Sequence, residues 1–98
     1  QTVTGTASWY GNTLHGQKAA DGSTFDKNAM TAAHKTYPFG TMVKVTNLRN
    51  SKTCVVKITD RTSQRNTHVI DLSKRAAQEI DMISAGIVKV KLEVIGKY

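Results

Sequence analysis

Cys54-Val55-Val56-Lys57-Ile58-Thr59-Asp60-Arg61 is the stretch on which the reading of this chain turns. Successive side chains of a strand point to opposite faces. A strand here therefore sends Cys54, Val56 and Ile58 to one side and Lys57 and Thr59 to the other. Asp60 continues the apolar parity, so a carboxylate emerges where a buried face runs out. Burial disfavours the charged form of a carboxyl and raises its pKa, which suits a general acid. The alternative reading of Asp60 is a turn residue bonded to its own backbone. Arg61 follows directly, and in a continuing strand its side chain points the opposite way.

Upstream, Pro38-Phe39-Gly40 is a turn and residues 41–48 are a strand, with Val43 and Val45 opposite Lys44 and Thr46. The polar loop Arg49-Asn50-Ser51-Lys52 joins the two strands as a hairpin. Downstream, residues 62–67 are loop-like, residues 68–72 form a short strand, and Ser73 caps a helix running to Asp81 with Ala76, Ala77 and Ile80 on its apolar side. After Gly86, alternation places Val88, Val90, Leu92 and Val94 inward and Lys89, Lys91 and Glu93 outward. The first third is punctuated by Gly5, Gly11, Gly16 and Gly22. Residues 5–10 read as a strand, residues 11–23 as a long loop, and residues 26–33 as containing a helical turn capped by Asp26. Met42-Val43-Lys44-Val45 returns as Ile87-Val88-Lys89-Val90, a hint of two similar halves. Many short strands, turn residues and a helix describe a small closed β-barrel.

The 98 residues fit one domain, 1–98. Lys+Arg outnumber Asp+Glu 14 to 7, a formal charge of +7. That suits a polyanionic partner (nucleic acid, anionic lipid or an anionic wall polymer) or a soluble basic surface. The basic residues are scattered and five of the six aromatics fall in the first 40 residues, so nucleic acid is not expected as a partner. Cys54 is the only cysteine and reads as a small buried hydrophobe. No apolar run approaches the ~20 residues of a membrane helix. The start at Gln1 is compatible with a trimmed export segment. His15, His34, His68 and Asp60 lack short ligand spacing, so neither a metal nor another cofactor is expected. Trp9 and Tyr10 alternate faces, one entering the core and the other, Tyr10, exposed. Asp71 reads as a structural carboxylate favouring the helix start after it.

Several stretches carry a resemblance: Gly5-Thr6-Ala7-Ser8-Trp9-Tyr10-Gly11, Phe25-Asp26, Thr31-Ala32-Ala33-His34-Lys35-Thr36, Val43-Lys44-Val45-Thr46-Asn47-Leu48, Asp60-Arg61 and Ile70-Asp71-Leu72-Ser73. In this order they resemble the rare lipoprotein A family, septal lytic transglycosylases of bacterial cell walls. The resemblance implies a mainly β fold, a six-stranded double-psi β-barrel with one or two short helices, similar to expansins. It implies an exported protein, periplasmic or anchored in the outer membrane, acting on peptidoglycan glycan strands. Division-site proteins are implied as further partners, and a monomer is expected. By position, Asp60 and His34 are the implied catalytic pair, with Ser23, Tyr10, Thr31 and Arg61 lining the substrate site. Ser23 stands where the family usually has Glu, and Thr62-Ser63-Gln64 replaces the usual Gly-Pro segment after Asp-Arg. An inactive or weak wall-binding module, or a protein-interaction domain, is the alternative. A lytic transglycosylase needs fewer carboxylates than a hydrolase, which usually uses a pair, because the sugar's own C6 hydroxyl attacks.

Overall fold

The computed structural model describes residues 2–10 and 15–97. Its strands are β1 (Thr2–Trp9), β2 (Thr31–His34), β3 (Thr41–Asn47), β4 (Thr53–Arg61), β5 (Ile70–Leu72) and β6 (Val88–Lys97), with helix α1 (Lys74–Glu79) between the last two. They close into a barrel in the order β1-β5-β2-β4-β3-β6. The pairs β1·β5 and β2·β4 are parallel, and the other neighbours run antiparallel. The hairpin read from the sequence is β3·β4, with Val45 opposite Cys54 and Val43 opposite Val56. The repeated Val-Lys-Val segments lie in β3 and β6, side by side.

The barrel interior follows the predicted alternation. Val43, Val45, Val56, Ile58, Ile70, Leu72, Val90 and Leu92 are wholly buried. Cys54 lines the same core, and burial, with Glu79 adding to it, pushes its thiol pKa up to about 12. It is an inert hydrophobe, as its mid-strand position implied. Ser73 caps α1 by accepting from the Ala76 amide at 3.2 Å, and Ala76 and Ala77 seal one end of the core. Val69 crosses so close to β1 that a Cβ on Gly5 would lie 2.4 Å from Val69 Cγ1. Glycine is what lets the segment before β5 dock on β1, fixed by the Val69 amide on Thr6 O at 2.8 Å.

Three expectations change. Residues 26–30 form turns rather than a helical turn: the Asn28 amide bonds Asp26 Oδ1 at 2.8 Å and the Ala29 amide bonds Asp26 O at 3.0 Å. The alanines after them enter β2, because pairing with both β4 and β5 outweighs their helix preference. Val94 is 45% exposed, not inward. Pairing of β6 with β1 ends at Glu93 opposite Thr2 among the described residues, so beyond it only β3 flanks β6. Of the long loop read over residues 11–23, residues 11–14 lie outside the described residues. From His15 onward it folds back through a bridge between Lys18 and Thr24.

Candidate functional site

One register shift sets the direction of Asp60. Ala32 pairs with Ile58, yet Ala33 pairs with Asp60, so Thr59 is an extra residue in β4. Such a bulge changes the side-chain parity of the residues after it. Ile58 is buried in the core, whereas half-buried Asp60 sides with Ala33 on the barrel's outer surface. Simple alternation from Cys54 therefore chose the wrong face, although the position at the strand's end was right.

Ala33 also pairs with Asp71 of β5, and Asp71 with Ser8 of β1. Cross-strand partners share a face, so Ser8, Asp71, Ala33 and Asp60 form one outer row. It carries two carboxylates separated by a single alanine strand. Asp71 is not a helix-start carboxylate, because Ser73 caps α1. Instead the Ser8 hydroxyl donates to Asp71 Oδ1, and Asn66 Nδ2 donates to Oδ2 at 3.0 Å. Parity within Ile70-Asp71-Leu72 was the available signal for this outward carboxylate.

Asp60 Oδ1 accepts two backbone amides, from Ala20 at 3.1 Å and from Arg61 at 2.8 Å. One carboxylate oxygen is thus fixed by two backbone donors. The Arg61 guanidinium turns away, as expected, and lies 4.2 Å from the Phe39 ring centroid.

His34 ends β2 opposite Arg61 and is buried. Its ring stacks on Tyr37 at 3.6 Å between centroids. The amides of Thr36 and Tyr37 both donate to Nδ1, each at 3.0 Å. Nδ1 is thus an acceptor and the neutral ring carries its proton on Nε2. Burial, then the charges of Arg61 and Lys35, lower the His34 pKa. The folded value lies below the unfolded value of about 6.5, so the unfolded chain binds the proton more readily. His34 therefore contributes stability that is complete above about pH 6.5 and is lost as pH falls through the folded value. Thermal midpoints measured from pH 7 down to pH 5 should fall, and His34→Gln should flatten that slope. Parallel slopes for the two proteins would remove His34 as its source.

Ser23 sits on the exposed loop that supplies Ala20 to Asp60, but its hydroxyl turns to Asp21, donating to Oδ1 at 2.5 Å, with its amide at 2.9 Å. The Asp21 amide in turn bonds Thr59 O at 3.0 Å. Partial burial would raise the Asp21 pKa, but the Ser23 bonds and the Lys57 charge outweigh it and hold the carboxyl below its usual range. This loop thus keeps a carboxylate near Asp60, at Asp21 rather than at position 23.

Tyr10 is not the exposed aromatic expected. It is half-buried, its ring meets Phe25 edge-on at 5.0 Å, and its hydroxyl oxygen is buried without a partner. Burial first, then the charges of Asp60 and Asp71, push its pKa far up. Trp9 packs against the core, as expected for one of the two. Thr31 opens β2 and its Oγ1 is likewise buried and unpartnered. A separate cavity of about 610 Å³, lined by Asn47, Arg49, Asn50, Asp81 and Ser84, lies at the opposite end of β3 from Asp60.

A closed six-stranded barrel with parallel β1·β5 and β2·β4 pairs defines the double-psi β-barrel class. Solved structures agree on the fold. The Streptomyces papain inhibitor matches with a TM-score of 0.79 at 22% identity, covering 98% of this chain and 96% of that one. A Clavibacter michiganensis expansin crystallised with cellohexaose matches with a TM-score of 0.78 at 19% identity, over 98% of this chain and 51% of that one. The family model described as "Lytic transglycolase" matches residues 2–92, and the chain belongs to that family. It is 52% identical over 96 residues to the endolytic peptidoglycan transglycosylase RlpA of Campylobacter jejuni, covering 98% of this chain and 35% of the relative. It is 46% identical over 94 residues to the RlpA of Neisseria meningitidis serogroup A, covering 96% of this chain and 39% of the relative. The chain thus spans little more than a third of the length of these relatives.

Proposed function

We propose that this domain cleaves peptidoglycan glycan strands as a lytic transglycosylase, with Asp60 as the acid/base. The carrying observation is the geometry of Asp60: one oxygen is held by two amides, and the residue stands in an outer row with Ala33 and Asp71. Membership of the lytic transglycolase family supports the reaction class. The Asp60 carboxyl gives its proton to the glycosidic oxygen as the C1–O bond breaks. The C6 hydroxyl of the same sugar attacks C1, and its proton passes to the Asp60 carboxylate, leaving a 1,6-anhydro end and restoring the acid. No water is activated, so one carboxylate suffices for the proton transfers. His34, kept neutral, offers its Nε2 proton as a donor that orients the substrate beside Asp60. Arg61 and Lys35 make that end of the site attractive to an anionic glycan. The reading carries with it an exported domain, working in the periplasm or held at the outer membrane, as a monomer, with division-site proteins as further partners.

A second reading, a wall-binding module without turnover, is favoured by Ser23, whose hydroxyl is engaged by Asp21 and brings no charge of its own. Incubation with purified sacculi, and with strands stripped of stem peptides, decides between them. Mass analysis of the soluble fraction should find anhydro-muramyl products. Binding to sacculi without such products on either substrate would select the module.

A further inference from the structure

The cavity of about 610 Å³ at the far end of β3 plays no part in the chemistry assigned to Asp60. Asn47 closes β3 six residues after Thr41, about 20 Å along the barrel at a strand's rise per residue. Two connections wall the cavity: the β3·β4 hairpin loop and the segment that follows α1. Side-chain carboxamides tie them together. Asn47 Nδ2 and Asn50 Nδ2 both donate to Ile80 O, at 2.9 and 3.1 Å. Asn47 Oδ1 also accepts the Arg49 amide at 2.9 Å, which fixes where Arg49 stands in the loop.

Backbone strain gathers at the same place. Among the described residues, the non-glycine residues with positive φ are Ser51 at 64° and Asp81 at 56°. Ser51 belongs to the hairpin loop and Asp81 lines the cavity. Such conformations are uncommon outside glycine and concentrate at ligand clamps and active sites.

The lining carries opposite charges on a partly apolar wall. Arg49 supplies a guanidinium, which pairs with a carboxylate through two parallel bonds. Asp81 supplies a carboxylate. Lys52 Nζ lies 4.0 Å from Asp81 Oδ2 and both side chains are exposed, so this pair is weak and readily exchanged for another cation. Asn50 Nδ2 has a second hydrogen and Ser84 a hydroxyl, which suit a neutral polar group between the charges. Ala85 and Val88 contribute the apolar part. A purely anionic ligand would meet Asp81, and a purely cationic one would meet Arg49. A small zwitterion with a compact apolar side chain satisfies both.

We infer that this cavity binds groups that carry a free amine and a free carboxylate, an amino acid or a short peptide, with the carboxylate on Arg49 and the amine on Asp81. It is a second site, separate from the outer row of Asp60. The source of the ligand rests on the wall-directed reading above: the domain holds the peptide part of peptidoglycan here while Asp60 works on the glycan.

The probe is alanyl-alanine, in both enantiomeric forms, with its N-acetyl and C-amide derivatives. Binding is read from backbone amide NMR shifts of the folded protein. One or other dipeptide should give saturable shifts at Arg49, Asn50, Ser84 and Ala85, and none at Ala20 or Arg61. Blocking either end should weaken binding about tenfold. Arg49→Gln should bind the dipeptide and its amide equally, and Asp81→Asn should bind it and its N-acetyl form equally. Asparagine accepts a left-handed backbone, so the second variant keeps its turn. No shifts at those four amides with either dipeptide would overturn the proposal. So would shifts that ignore the blocked ends, or that keep the same preferences in both variants. Release of anhydro products from sacculi is measured beside the titration. Binding without release sinks cleavage and leaves this site; release without binding sinks this site alone.

Discussion

Asp60→Asn should lower the release of anhydro-muramyl products from sacculi by about 10²- to 10⁴-fold, the usual contribution of a positioned acid/base. Asparagine keeps the shape and can still accept the Ala20 and Arg61 amides through its carbonyl, which hold Oδ1 at 3.1 and 2.8 Å. Fold and wall binding should therefore persist, and the loss should fall on turnover. Activity would be quantified as product mass per unit time at saturating substrate, with sedimentation on sacculi as the control for binding. Undiminished product formation would remove Asp60 from the chemistry and shift attention to Asp71, the other carboxylate of the row. Asp60→Glu adds a methylene against the same two amides. Partial activity in that variant would show that the proton-carrying group matters more than its reach.

Leu72→Ala should be the most damaging of the core truncations to the site itself. Leu72 is wholly buried, pairs with Trp9 on one side and Ala32 on the other, and stands between Asp71 and Ser73. Truncating a buried leucine costs about 2–5 kcal/mol, a large share of the ~5–15 kcal/mol available to a domain. For a chain of this size the thermal midpoint should drop by about 10 °C or more. Leu48→Ala is the contrast, since Leu48 is 46% exposed and surface changes of that kind stay within about 0.5 kcal/mol. Circular dichroism melts of the three proteins check this. Similar midpoints for both variants would show that β5 contributes little to closing the barrel.

Alternation and turn chemistry were enough to read β3, β4, β6 and the Ser73 cap, because each of these is specified by neighbours close in the chain. β2 was hidden: Thr31-Ala32-Ala33-His34 has no strand composition, and it is extended only because β4 and β5 grip it from both sides. The candidate site was legible as a set of residue types and positions through the family motifs. Its orientation was not. Nothing local announces that Thr59 is an extra residue, so the face on which Asp60 lies could be known only once β2 supplied a register. Asp71 is structural as read, but its partners were hidden for a related reason. Its partners, Ser8 and Asn66, are 63 and 5 residues away, and the first enters through parallel pairing that leaves no mark in a single strand. Tyr10 was judged by its amphipathic chemistry, whereas Phe25, arriving from the loop, decides how much of its ring is covered.

Closure of the ring has a kinetic consequence. β1 is zipped to β6 from Thr2 opposite Glu93 to Ala7 opposite Val88, so partners near the two limits of the sequence must meet before any edge disappears. Topologies dominated by such distant pairings fold slowly, in milliseconds to seconds rather than microseconds. A chain emerging gradually from a ribosome cannot complete this barrel until β6 has come through. Until then Ser8 has no settled β5 to hold Asp71, and the acidic row stays unassembled.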